Sequence, residues 1–87
     1  MSNIAFIKVR PSDDYVDVEV AGEISLTASK NYTLQINGQC IVCEAESKPS
    51  NGGFYITNDS PFQYKKGDGK LWIKNLTNTV IFINIAE

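Results

Sequence analysis

The stretch NYTLQINGQCIVCEA, residues 31–45, carries the strongest local signal in the sequence. Apolar and polar side chains alternate from Tyr32 to Ile36, which is the period of a strand with one buried face. An apolar, β-branched run resumes directly after Asn37 and Gly38. Both central residues of a type I′ turn need positive φ, which Asn and Gly tolerate best. The stretch therefore predicts two strands joined by a tight hairpin.

Strand signals continue on both sides of this stretch. Alternation is clearest at residues 16–20, and it recurs at residues 5–10 and 79–86, with Gly, Pro, Asn, Asp and Ser between the runs. No window of helical length shows an apolar stripe with a period near 3.6 residues, so we expect no helix. About eight or nine short strands predict a single all-β domain, residues 1–87, folded as an antiparallel sandwich or barrel-like structure. We expect a meander in the second half.

The residues on which enzymes and metal sites depend are scarce. The chain contains two cysteines and no histidine, whereas a closed zinc site needs four thiolate or imidazole ligands. Cys40 and Cys43 have C-x-x-C spacing, but residues three apart on a strand point to opposite faces. We expect buried, unreactive thiols that neither bridge nor share a metal. Without histidine as a general base, or a glycine-rich loop before a helix, we expect no enzymatic activity and no cofactor.

Charge is distributed unevenly along the chain. Residues 1–47 carry three basic and seven acidic side chains, net −4, and residues 48–87 carry five basic and three acidic ones, net +2. Complementary potentials orient an encounter, so the two halves suit head-to-tail contact between copies, although solvated loops have the same composition. The candidate charged contacts for assembly are Asp17, Glu19, Lys65 and Lys66.

Other functions fit these charged groups less well. The acidic residues at 13–19 could hold calcium, or could imitate nucleic acid as a small inhibitor does, but they are few and lack the spacing of a calcium loop. The basic residues at 65–74, with Tyr64 and Trp72 among them, could bind nucleic acid. Because the whole chain is acidic, we expect no nucleic-acid partner and a basic tip that is solvated or meets an acidic protein.

Three aromatic residues predict an exposed apolar patch. The isoleucines of residues 81–85 point to one side of the last strand, and Phe82 points to the other. Trp72 on the preceding strand lies opposite Leu71 and Ile73. Phe6 on the first strand lies opposite Ala5, Ile7 and Val9. A domain of this size has a thin core and rarely leaves such a patch in water. We therefore predict that Phe6, Trp72 and Phe82 form one patch at an assembly contact.

The beginning of the chain shows no targeting signal. Met1-Ser2-Asn3 lacks a charged leader and an apolar run before a cleavage site, and no stretch reaches membrane-spanning length. We expect a protein that is made and kept in a reducing cytosol, or that leaves it only inside a larger particle, and that has no membrane partner.

The second half of the chain carries a likeness to a known class of proteins. Residues 62–75 read FQYKKGDGKLWIKN, and the chain closes with INIAE at residues 83–87. A glycine turn, an aromatic strand and a final apolar strand ending near Ala-Glu resemble the small β-rich structural proteins of tailed bacteriophages and prophages. Residues 32–36 and 44–49 fit the same pattern.

The resemblance implies a virion component that is made in the host cytoplasm. It favours a capsid decoration, or cement, protein that lies on the capsid surface, binds the major capsid protein and forms a small oligomer, commonly a trimer. A tail or baseplate component is the neighbouring alternative. A carbohydrate-binding β-module is an alternative of a different class, in which Trp72, Tyr55 or Tyr64 would stack against a sugar ring.

Overall fold

The computed structural model describes residues 3–57 and 61–87 of the chain. Within these residues lie eight strands and one short helix. Their bounds are β1 (Asn3–Val9), β2 (Val16–Asp17), α1 (Val18–Gly22), β3 (Asn31–Asn37), β4 (Cys40–Ala45), β5 (Phe54–Ile56), β6 (Phe62–Lys65), β7 (Lys70–Asn75) and β8 (Ile81–Ala86). The predicted break at residues 58–60 and the first two residues lie outside the described part of the chain.

The strands form two antiparallel four-stranded sheets with one apolar core between them. The first sheet has the order β1-β8-β3-β6, and the second sheet has the order β2-β7-β4-β5. The pairs β1–β8, β2–β7, β3–β6 and β4–β5 are nested, as if one long hairpin had been rolled up. This is the connectivity of a jelly roll. The predicted all-β sandwich is confirmed, and of the two predicted architectures the barrel-like one is not formed.

Alternating apolar side chains fill the space between the sheets. Strand β8 lies between β1 and β3 and turns its three isoleucines inward. The largest fully buried side chains are Ile7, Val9, Val18, Leu34, Ile36, Cys40, Leu71, Ile73, Ile81, Ile83 and Ile85. Full burial of one isoleucine contributes about 1.5–3 kcal/mol, and β8 contributes three of them to the core.

The tight hairpin predicted at Asn37-Gly38 is wrong. Strand β3 belongs to the first sheet and β4 to the second, so this turn carries the chain from one sheet to the other. Gly38 has φ of 126°, whereas Asn37 does not have the positive φ that a type I′ turn requires. Glycine is also needed for space, because a Cβ at this position would overlap Cγ2 of the buried Ile81.

The meander predicted for the second half is also wrong. Among the described strands after Gly38, β4 and β5 are the one pair adjacent both in the chain and in a sheet, and each later connection crosses between the sheets. A meander and a jelly roll share short strands, polar turns and inside/outside alternation. The sequence pattern therefore does not distinguish them.

The helix α1 replaces the second half of the strand predicted at residues 16–20. Asp17 ends β2 and accepts a hydrogen bond from the Glu19 amide at its side-chain Oδ1, 3.0 Å away, which caps the helix. The helix ends before Glu23, which has φ of 54° in the left-handed region. Val18 is fully buried. The expectation of no helix is therefore wrong. The signal in the sequence is Asp17 as a helix-capping residue, but the apolar and polar alternation of residues 16–20 predicts a strand.

Candidate functional site

Phe6 and Phe82 form an aromatic pair on the outer face of the first sheet. Their rings stack with centroids 5.5 Å apart and an interplanar angle of 14°, and Phe6 is 58% exposed. Lys8 lies opposite Phe82 in the β1–β8 register, and Asn84 lies between Phe6 and Gln35 of β3. The pair is therefore an apolar patch on a face that is otherwise mainly uncharged and polar.

Trp72 does not join this patch, and the prediction of one shared aromatic face is wrong. Strand β7 belongs to the second sheet, where Trp72 is half-buried beside Asp17 on one side and Cys43 on the other. Its indole Nε1 donates to the Ala45 carbonyl at 3.0 Å. The prediction failed because β7 and β8 follow each other in the chain but lie in different sheets.

Asp17 and Glu19, two of the predicted assembly contacts, hold local structure together. Asp17 caps α1 through Oδ1, and its Oδ2 lies 3.9 Å from the Lys70 ammonium. Glu19 Oε1 accepts a hydrogen bond of 2.6 Å from the Leu26 amide, which fixes the connection between α1 and β3. Both carboxylates are half-buried residues with partners inside the chain.

The opposite charges of the two halves meet within one molecule. Asp14 is 3.2 Å from the Lys48 ammonium and 3.6 Å from that of Lys74, and Asp17 faces Lys70. The Tyr15 amide, followed by Lys48, holds the pKa of the Asp14 carboxyl below its ordinary value. Because these charges are paired internally, charge asymmetry along the sequence gives little support to head-to-tail association of copies.

Lys65 and Lys66 differ sharply although they are adjacent. The Lys66 side chain folds inward, is 8% exposed, and donates to the Gly67 carbonyl at 2.8 Å and the Gly69 carbonyl at 2.5 Å. Lys65 is exposed and forms no ion pair with the described residues. Of the two, Lys65 is the one whose charge faces solvent and could meet a partner.

The two cysteines point to opposite sides of β4, as predicted, and both are free thiols. Cys40 lies in the core, where burial raises the pKa of its thiol to about 12. Cys43 is half-buried on the outer face, so the prediction that both thiols are buried holds for Cys40 alone. No group of metal-binding side chains occurs among the residues that the structure describes.

Tyr55 stands between two clefts at the open edge of the second sheet. The larger cleft, of about 310 Å³, has Tyr15, Ile41 and Lys74 among its lining residues, together with the loop at 50–52. The smaller one, of about 200 Å³, has Ile56, Pro61 and Phe62 among its lining residues. Tyr55 was predicted as a stacking platform for a sugar. Tyr15 was not predicted as part of a site, because it follows a polar turn and belongs to no alternating run.

Comparison of the chain with protein-family models, with curated proteins and with solved structures finds no match. Within residues 3–57 and 61–87, the structure contains no helix long and apolar enough to cross a membrane.

Proposed function

We propose that this chain is a non-enzymatic structural protein of a tailed-phage virion, a capsid decoration protein that forms a trimer and binds the major capsid protein at the capsid surface. The observation that carries the proposal is the stack of Phe6 on Phe82, with Phe6 more than half exposed. Aromatic residues are enriched at the energetic centres of protein interfaces.

The surroundings of this pair favour a second copy of the chain as its occupant. The neighbouring outer positions carry Thr33, Gln35 and Asn84, which are neutral. Around a three-fold axis the same residues of each copy lie close together, so neutral neighbours avoid the like-charge repulsion that would oppose contact between copies. Lys8 lies beside the pair and is long enough to turn its ammonium toward solvent at the rim of a contact.

The fold is compatible with this role, because jelly rolls occur in viral capsid proteins and in lectins. A fold alone does not establish a function. The proposal therefore depends on the aromatic pair together with the resemblance of residues 62–75 and 83–87 to phage structural proteins.

Analytical ultracentrifugation tests the association directly. We expect the wild-type chain to sediment as an oligomer and Phe6→Lys to sediment as a monomer. Each copy would bring one lysine to the contact, and burial of these like charges without a partner opposes association. Phe54→Lys is the matched control, since Phe54 is also exposed but lies on β5 in the other sheet. A monomeric wild-type protein across micromolar to millimolar concentration contradicts the proposal.

Imaging of phage particles that carry this gene tests the location. We expect density for the jelly roll on the capsid surface, in groups of three, with Phe6 at the contact between copies. Density confined to the tail or baseplate would assign the chain to the neighbouring class of virion protein. Its absence from purified particles removes the structural role.

A further inference from the structure

The larger cleft beside Tyr55 has the size and the lining of a small-molecule site. Its volume of about 310 Å³ lies at the lower end of the range for ligand pockets. Ile41 lies between Lys74 and Tyr55 in the register of the second sheet, which gives the cleft an apolar floor. The Tyr55 ring stands at the edge and is 78% exposed.

The wall of the cleft opposite β5 is fixed by hydrogen bonding. The Tyr15 hydroxyl donates to the Gly52 carbonyl at 2.7 Å, so it ties the loop at 50–53 to the connection between β1 and β2. The Lys74 ammonium lies 5.6 Å from the centroid of the Tyr15 ring. These contacts position the wall in the absence of any ligand, which reduces the entropy lost on binding.

The charges around the cleft are already paired. Lys74 and Lys48 both lie within ion-pair distance of Asp14. Ser50 and Asn51, by contrast, are exposed and their side chains make no hydrogen bond to the described residues. The groups free to recognise a ligand are therefore an aromatic ring, a hydroxyl and a carboxamide, and none of them is charged.

We propose that this cleft binds a neutral sugar ring, which stacks its C–H face on Tyr55 and offers its hydroxyl groups to Ser50 and Asn51. A pyranose presents an apolar face and a polar rim, which match an aromatic platform bordered by uncharged donors and acceptors. Tyr55 also lines the smaller cleft, of about 200 Å³. The site goes beyond the virion role and does not depend on it.

Strand β5 offers a matched pair of variants for the test. Tyr55 points to the outer face with Ile41, whereas Phe54 pairs with the inward-facing Val42 and so lies on the opposite side of the strand. Phe54 is 74% exposed, close to the value for Tyr55. Truncation of either ring to alanine removes a solvent-exposed aromatic from the same edge strand, and thermal unfolding checks that both variants remain folded.

The experiment is a titration of isotope-labelled protein, followed by amide chemical shifts, with the methyl glycosides of glucose, galactose, mannose and N-acetylglucosamine. We expect at least one of them to shift amides in residues 50–55 and 74–76 at millimolar concentration. Tyr55→Ala should weaken this binding about tenfold, which corresponds to the loss of one stacking contact. Phe54→Ala should leave the affinity within about twofold.

Several outcomes would overturn the assignment. No shift with any of the four glycosides removes the site, as does binding that survives Tyr55→Ala unchanged. Equal weakening by Tyr55→Ala and Phe54→Ala places the ligand elsewhere on the edge. A methyl glucuronide that binds more tightly than the glucoside contradicts a neutral ligand. Shifts confined to the face of Phe6 and Phe82 assign the sugar to the other sheet.

Discussion

The two ends of the sandwich are closed by polar groups of different kinds. At one end, which we call the Asn75 end, the carboxamide of Asn75 is 5% exposed. It donates to the carbonyls of Val9 at 2.9 Å and Thr79 at 2.7 Å, and it accepts from the amide and hydroxyl of Thr77 at 2.7 and 2.8 Å. Both donor hydrogens of the carboxamide are therefore used, and its oxygen accepts from Thr77.

At the opposite end, which we call the Lys66 end, the closing groups are charged. Lys66 holds the carbonyls of the turn at 67–69. The Glu44 carboxylate of the second sheet accepts hydrogen bonds from the Tyr64 hydroxyl of the first sheet and from the Gly67 amide. Glu44 thus links the two sheets, but it does so at the surface, since Glu44 is an exposed residue.

The comparison teaches how location sets the cost of losing a polar group. When a buried amide is removed, its buried partners lose their hydrogen bonds and water cannot replace them, so the full desolvation penalty is lost from stability. When an exposed carboxylate is removed, water can form part of the hydrogen bonding that the carboxylate provided. We therefore expect the Asn75 end to dominate stability at every pH and the Lys66 end to make stability depend on pH.

Removal of the Asn75 carboxamide should give the largest effect. Asn75→Ala removes the side-chain donor to the carbonyl of the fully buried Val9 and opens a small cavity, and we expect a loss of about 3 kcal/mol in the free energy of unfolding. Urea denaturation measures it. Asn78→Ala, at an exposed asparagine of the same turn, is the control. Equal stability of the two variants would contradict a closing role for Asn75.

The turn at Gly38 belongs to the same end, and substitution there should have the next largest effect. Gly38→Ala combines the strain of a positive φ with an overlap on Ile81, and we expect a loss of about 2–3 kcal/mol. Gly52 also follows an asparagine and has φ of 90°, but nothing lies within 4 Å of a Cβ built there. Gly52→Ala should therefore cost about 1 kcal/mol from strain alone, and a smaller loss at Gly38 than at Gly52 would argue against the overlap.

These two Asn-Gly pairs show what the sequence can and cannot predict. Both indicate a turn, because the preference of glycine for positive φ is a local property. Whether the flanking strands pair with each other depends on residues far away in the chain. Strand β3 pairs with β8 and β6, and Ile81, which packs on Gly38, lies more than forty residues from it. Strand existence and the inward faces were predictable, whereas sheet order was not.

For the candidate surfaces, too, the outward or inward direction of a side chain was predictable, whereas its neighbours on other strands were not. Alternation correctly placed Phe6 and Phe82 on outward faces, and the nested order of strands then brought them together. The same reasoning failed for Trp72, because it assumed that neighbouring strands in the chain share a sheet. Pairing of Asp14 with Lys48 and Lys74 also depends on the topology, so charge counts along the sequence could not reveal that these groups neutralise each other.

At the Lys66 end, the lysine itself should give the stronger effect. Lys66→Met keeps the buried aliphatic stem but removes the donor to two carbonyls of the turn, and we expect a loss of about 1–2 kcal/mol in urea denaturation. Lys65→Met changes the same residue type at the adjacent exposed position and should leave stability within about 0.5 kcal/mol. If both variants lost the same amount, the effect would come from net charge and not from the turn.

Glu44 should give the smallest effect at neutral pH, and one that depends on pH. The Tyr64 hydroxyl, followed by the amides of Gly67 and Gly69, holds the pKa of the Glu44 carboxyl below its ordinary value of 4.5. As the pH falls, the unfolded chain therefore takes up this proton before the folded chain does. The stabilisation is present above pH 4.5 and disappears as the pH falls through the lower pKa of the folded state.

We accordingly expect Glu44→Gln to be less stable than the wild type by up to about 1 kcal/mol at neutral pH, a value reduced by solvent exposure of the carboxylate. The difference should shrink toward zero in acid. Asn75→Ala, which removes an uncharged group, should show the same deficit at every pH. Urea midpoints between neutral pH and about pH 3 compare the two variants, because carboxyl groups titrate across this window. Only a group that titrates can couple folding to proton uptake. If the stability loss of Glu44→Gln is constant with pH while that of Asn75→Ala varies, the assignment of a charged end and a neutral end is therefore wrong.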